Sequence, residues 1–130
     1  MADFRVVTED FAVSGQIAPQ DVARAAAEGC ALIVNNCPDG EARGQPSGRV
    51  IADAAHDAGL GCVHIPVVGR PTPDQVEALR LAVVAGGKVL AFCRSGTRSI
   101  NTWALGAPLE RGEIVRLGAA AGHDLSALPP

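Results

Sequence analysis

Apolar runs and helical stretches take turns along this chain between Pro19 and Phe92, and that alternation leaves few folds open. Ala31-Leu32-Ile33-Val34 is a short continuous apolar run, the pattern of a strand covered on both faces. Gly61-Cys62-Val63-His64-Ile65 and Lys88-Val89-Leu90-Ala91-Phe92 are two more β-prone runs. Helical signals lie between them. Pro19 suits a first helical turn, and Val22, Ala23, Ala26 and Ala27 recur at helical spacing up to Gly29. Gly48 to Ala58 reads as a second helix closed by Gly59. Thr72-Pro73-Asp74-Gln75 has an N-cap threonine, a proline at the first position and a glutamine at the third; that helix runs to about Ala85, before Gly86-Gly87. Parallel strands need such helical crossovers. The prediction is an α/β fold, a mainly parallel four- or five-stranded sheet flanked by helices. Phe4–Val7 and Phe11–Val13 add two short strands around a Thr8-Glu9-Asp10 turn, and helices are expected over about Ser99–Leu105 and Glu110–Ala121.

Residues 1–130 read as one domain with an aliphatic core, since 48% of residues are hydrophobic and 3% aromatic. The net charge of −3 argues against nucleic acid as a partner. No run has the length of a membrane helix, and Met1-Ala2-Asp3-Phe4-Arg5 lacks a signal-peptide pattern. Cys30, Cys37, Cys62 and Cys93 form no CxxC pair, so neither a metal site, another cofactor nor a disulfide framework is expected. Free thiols suit a reducing cytoplasm.

A parallel sheet binds its ligands at the carboxyl ends of its strands. Three loops leave those ends, over residues 35–47, 66–72 and 93–99. The last is Cys93-Arg94-Ser95-Gly96-Thr97-Arg98-Ser99, a cysteine at a strand end followed by a glycine turn and a helix start. Turn N–H groups, the helix dipole and two arginines favour an anion there, and they favour the thiolate, the reactive form of cysteine. Cys93 is therefore the candidate nucleophile, and Arg94, Ser95, Gly96, Thr97, Arg98 and Ser99 form the candidate anion cradle. Cys93, Arg98 and Ser99 resemble the loop of tyrosine phosphatases, in which the Cys attacks phosphorus and the Arg holds the oxyanions. Four residues separate Cys93 from Arg98, one fewer than in that loop, and residues 64–70 hold no carboxylate to serve as general acid. General acid catalysis commonly contributes about 10²–10⁴-fold. Cys93-Arg94-Ser95-Gly96 is also similar to the short rhodanese loop, where the leaving group is sulfite or a thiolate and needs no strong acid.

Val13-Ser14-Gly15-Gln16-Ile17, Val34-Asn35-Asn36-Cys37-Pro38-Asp39-Gly40-Glu41, His64-Ile65-Pro66-Val67 and the Cys93–Ser99 loop occur in that order. The order resembles the phosphatase-like domain of beta-lactamase-hydrolase-like proteins, over about residues 4–127. The resemblance implies a dual-specificity-phosphatase-like fold and, through fusions of some members to persulfide dioxygenase-like or rhodanese-like domains, a link to sulfur metabolism. Cys37 departs from the family pattern, which generally has Arg before Pro-Asp. The function expected is sulfane-sulfur transfer through a Cys93 persulfide, from a small anionic or persulfide substrate to a thiol acceptor. The alternatives are a phosphatase of weak or specialised activity and an anion-binding pseudoenzyme.

Asp39 is a candidate proton donor facing Cys93, against the plainer reading of a turn residue. Glu41 reads as a solvated side chain. Cys37 reads as a loop thiol, or less readily as a resolving partner of Cys93. His64 reads as a hydrogen-bonded core histidine, and His56 and His123 as surface residues. Arg43, Arg49 and Arg70 read as surface charges, with Arg70 the best placed to widen a positive rim.

Overall fold

The computed structural model describes residues 2–128. Strands β1 (Arg5–Thr8) and β2 (Phe11–Ser14) form an antiparallel pair. Then follow α1 (Pro19–Ala27), β3 (Cys30–Asn35), α2 (Gly48–Asp57), β4 (Gly61–His64), α3 (Pro73–Val84), β5 (Lys88–Phe92), α4 (Thr97–Gly106) and α5 (Arg111–Ala120). The sheet order is β1-β2-β5-β3-β4, and every neighbouring pair except β1–β2 is parallel. The α/β fold with a mainly parallel sheet is thus what the alternation predicts.

Local chemistry sets the helix starts. Ser47 caps α2 by accepting the Val50 N–H at 3.2 Å. Thr72 and Gln75 form the reciprocal capping box of α3, with bonds of 3.2 and 2.9 Å. Asp21 accepts the Ala18 N–H at the start of α1, at 2.9 Å.

Alternate residues of each strand feed two cores. Ile17, Val22, Ala25, Ile33, Ile51, Ala55, Leu90 and Phe92 pack together with α1 and α2. Val13, Val34, Leu79, Ala91, Ile100, Trp103 and Ile114 pack with α3, α4 and α5, where Trp103 stacks on Phe11 at 5.5 Å between ring centroids. Central β5 is covered on both sides, and Val89 to Phe92 have no exposed surface. Cys93 follows that strand directly, so a strand buried on both faces carries the candidate nucleophile. Edge strand β4 is covered less. His64 on it is exposed, which corrects the expectation of a core histidine.

Candidate active site

Cys93 lies just beyond β5 at the carboxyl edge of the sheet, with no exposed surface. Its N–H donates to the Ser14 carbonyl at 3.3 Å, continuing the β2–β5 ladder. The Gly96 N–H donates to Cys93 Sγ at 3.1 Å. Gly96 adopts the left-handed conformation at φ 87°, which turns the chain into α4 at Thr97, two residues before the start expected from the sequence. One N–H at a helix N-terminus thus points at the sulfur. Beside it, Gly15 lets the β2 exit approach the loop closely: a Cβ there would sit 3.1 Å from the Arg94 carbonyl, which accepts the Gln16 N–H at 3.3 Å.

Arg98 points back into the protein. Its Nη1 donates to Glu41 Oε2 and to the Val67 carbonyl, both at 2.7 Å, and its Nη2 donates to Glu41 Oε1 at 2.5 Å. The side chains of Arg98 and Glu41 are 17% and 25% exposed. As a whole residue Glu41 is exposed, as expected of a solvated side chain, and in addition it serves as a forked anchor of Arg98. The Arg98 hydrogen bonds hold its carboxyl below the usual range, assisted by the charges of Arg98 and Arg94 and opposed by burial. The three loops do meet: Glu41 comes from residues 35–47, Val67 from 66–72 and Arg98 from 93–99.

Asn36 ties the same loops together. Its N–H donates to the Phe92 carbonyl and its Nδ2 to the Ile65 carbonyl, both at 2.8 Å, while its Oδ1 accepts the Ser99 hydroxyl at 2.7 Å. Asn36 and Ser99 are both fully buried. Ser99 thus braces the loop, and Ser95 and Thr97 are exposed on its rim, hydrogen-bonded to each other at 3.0 Å. Arg94 is also exposed.

Next in sequence, Cys37 is buried, and its thiol donates to Gln16 Oε1 at 3.6 Å. Burial, then the charge of Cys93, pushes this thiol up to about 12. Asp39 is exposed and accepts the Gly48 N–H at 2.7 Å, at the first turn of α2. His64 Nε2 lies 2.6 Å from the Cys37 carbonyl. Arg43, Arg49 and Arg70 are exposed, as expected of surface charges, and Arg49 pairs with Asp53 at 3.9 Å.

Sequence reasoning passed over Asn36 and misplaced His123. The latter is half-buried, with its Nε2 3.4 Å from where a Gly96 Cβ would lie. Burial, and then Arg5, lower its pKa. With Arg5, Ser14 and Ser95 it lines a pocket of about 320 Å³ on the β2 side of the loop. Among the described residues no helix is long and apolar enough to cross a membrane.

This geometry coincides with a known family. Residues 3–110 match the family described as beta-lactamase hydrolase-like protein, phosphatase-like domain. The chain belongs to this family. The phosphatase-like domain is 35% identical, over 92% of its own length, to a beta-lactamase hydrolase-like protein of Xylella fastidiosa strain Temecula1. It spans only 29% of that relative's length. Among solved structures, it is similar to a candidate phosphatase from Neisseria meningitidis, with a TM-score of 0.80, 30% identity and coverage of 94% and 90% of the two chains. It also superposes on human DUSP28 with a TM-score of 0.62 at 21% identity, covering 92% and 81% of the two chains. That likeness shows the dual-specificity-phosphatase-like fold alone.

Proposed function

We propose that this cysteine-based, phosphatase-like domain transfers sulfane sulfur through a persulfide on Cys93. The observation that carries the reading is the fork between Arg98 and Glu41. A guanidinium has five N–H donors. Glu41 and the Val67 carbonyl use three, leaving the Nε–H and one Nη2–H. A phosphoryl dianion would have to share this arginine with a carboxylate that is held ionised beside it. A sulfane sulfur needs only one atom to reach Cys93 Sγ. The Cys93 thiolate attacks the outer sulfur of the donor, the donor S–S bond breaks, and sulfite or a thiolate departs with the electron pair. An acceptor thiolate then takes the outer sulfur from Cys93, whose thiolate returns. The Gly96 N–H steadies the charge on Cys93 at the start and end of the cycle. Arg94, Ser95 and Thr97 offer an exposed rim for the anionic part of the donor, beside the two free Arg98 donors.

Those two free donors, with the likeness to the Neisseria candidate phosphatase, favour phosphate-ester hydrolysis as the second reading. It suffers from its leaving group. Loop 66–72 carries no carboxylate, and Asp39 is engaged with Gly48. One set of incubations separates the two readings, with thiosulfate plus cyanide, a glutathione persulfide donor, and aryl phosphates of graded leaving-group pKa. Sulfur transfer gives thiocyanate and, before cyanide is added, a gain of about 32 Da on Cys93. No adduct, together with phosphate release that is insensitive to the leaving group in the native chain and becomes sensitive in Asp39→Asn, makes the domain a phosphatase with Asp39 as its acid.

A further inference from the structure

The pocket on the β2 side of the Cys93 loop takes no part in holding Arg98, yet it borders the loop itself. Its volume of about 320 Å³ lies at the lower end of the range for small-molecule sites. Ser95 and Gly96 of the loop, Gly122 and His123 after α5, and Asp3 and Arg5 near the chain's start all line it. Gly96 and Gly122 are both left-handed, at φ 87°. A Cβ on Gly96 would lie 3.4 Å from His123 Nε2, and one on Gly122 would lie 3.5 Å from Arg5 Nη1. A side chain at either glycine would thus press on a polar group of the pocket. The Gly96 N–H is 3.1 Å from Cys93 Sγ, so the two contacts, joined across the Gly96 backbone, put His123 Nε2 within about 9 Å of the sulfur.

The pocket holds charges of both signs. Asp3 Oδ2 lies 2.7 Å from Arg5 Nε, with the Arg5 and Asp3 side chains 53% and 72% exposed. That pairing leaves the Arg5 Nη groups as donors and Asp3 Oδ1 as an acceptor. Burial first, and then the Arg5 charge, favour the neutral ring of His123, which has one N–H to give. A guanidinium and a carboxylate side by side select neither a simple anion nor a simple cation. They match a group that itself carries a carboxylate and an ammonium side by side.

We propose that this pocket binds the α-amino-acid end of the thiol that takes sulfur from Cys93, its carboxylate on Arg5 and His123 and its ammonium on Asp3. The role of that thiol rests on the sulfur-transfer reading; the α-amino-acid group rests on the pocket alone. In thiosulfate the charged oxygens sit on the sulfur next to the one transferred, so they stay over the loop rim. In an α-amino-acid thiol the charged group lies a few bonds from the sulfur and reaches past Ser95 and Gly96. The acceptor thiolate attacks the outer sulfur of the Cys93 persulfide, the S–S bond breaks, and the electron pair returns to Cys93 as its thiolate. Holding the far end of the acceptor positions that attack.

The test follows the ring protons of His123 by NMR while the native chain is titrated with S-methylcysteine, a thioether that cannot take sulfur. A saturable shift is expected. S-methylcysteine amide, without the carboxylate, and 3-(methylthio)propionate, without the ammonium, should each bind about tenfold more weakly. Arg5→Gln should weaken S-methylcysteine about tenfold and leave its amide unchanged, and Asp3→Asn should do the same while leaving the propionate unchanged. Both side chains are largely exposed, so neither replacement opens the core. Arg43→Gln, an exposed charge outside this pocket, should alter none of these titrations. With thiosulfate as donor, Arg5→Gln should raise KM about tenfold, at constant kcat, for cysteine or for γ-glutamylcysteine; the thiol affected shows whether the bound group is near the sulfur or remote from it. Equal shifts with all three thioethers, or shifts indifferent to Arg5→Gln, would overturn the subsite. A KM raised for neither thiol would overturn its acceptor role. If no acceptor takes sulfur, cyanide included, the transfer reading fails and the acceptor role with it, and the His123 shift still decides whether the pocket holds an α-amino-acid group.

Discussion

Arg98 faces inward because Glu41 and the Val67 carbonyl hold it there, so one of the loop's two positive charges is partly neutralised before any ligand arrives. The sign of the Glu41 shift fixes how this pair responds to pH. Its folded pKa is lowered, so the pair stabilises the protein above the unfolded carboxylate value and is lost as pH falls through the lower folded one. Glu41→Gln should cost about 1 kcal/mol near neutral pH, the scale of a good but partly solvated ion pair. It should also flatten the acid side of the stability curve and tighten sulfate binding by freeing the fork. Urea melts between pH 3 and 7 with a sulfate titration at pH 7 check this; weaker sulfate binding would mean that Glu41 orients Arg98 rather than competing for it. The sequence pointed to Cys93, Arg98 and Ser99 because they share one loop whose chemistry reads locally. Glu41 and Asn36 were not legible in this way. Their partners lie 57 and 63 residues away, and an isolated loop Glu or Asn gives no sign of such a distant contact.

At the level of the elements, the loop depends on where α4 begins. Gly96 makes the left-handed turn that aims its own N–H at Cys93 and starts the helix at Thr97. Gly96→Ala meets both a strained backbone and a Cβ 3.4 Å from His123 and 3.5 Å from Ser14. The expected cost is about 1–2 kcal/mol, with slower alkylation of Cys93 than in the native chain. Gly112, inside α5 with open space around it, is the comparison. Alanine there should leave Cys93 unchanged and add up to about 1 kcal/mol of stability. If the two variants alkylate at equal rates, the turn at Gly96 does not tune the thiol. The elements themselves were readable because apolar periodicity and the caps at Pro19, Ser47 and Thr72 are local signals. The position of β4 at the sheet edge was not, since strand order is settled by tertiary pairing, and His64 was misread for that reason.

Across the whole molecule, the strand order β1-β2-β5-β3-β4 puts β5, the last strand made, at the centre, between β2 and β3, which both come from the first third of the chain. Asn36 bonds residues 65 and 99 through its side chain and residues 67 and 92 through its backbone, so these bonds require β3, β4, β5 and α4 all to be docked. A residue with that many distant requirements is satisfied late in folding, when loop-closure entropy has already been overcome, and its side chain carries the bonds to residues 65 and 99. Asn36→Ala should therefore leave the refolding rate within about twofold and speed unfolding by roughly 30-fold, corresponding to about 2 kcal/mol for buried partners left unpaired. Chevron plots followed by Trp103 fluorescence measure both limbs. Slower refolding by a similar factor would place the clamp in the nucleus instead. With the clamp late, a nascent chain leaves Cys93 open to solvent until the strands around it have assembled, so the shielding of this thiol arrives only with the finished fold.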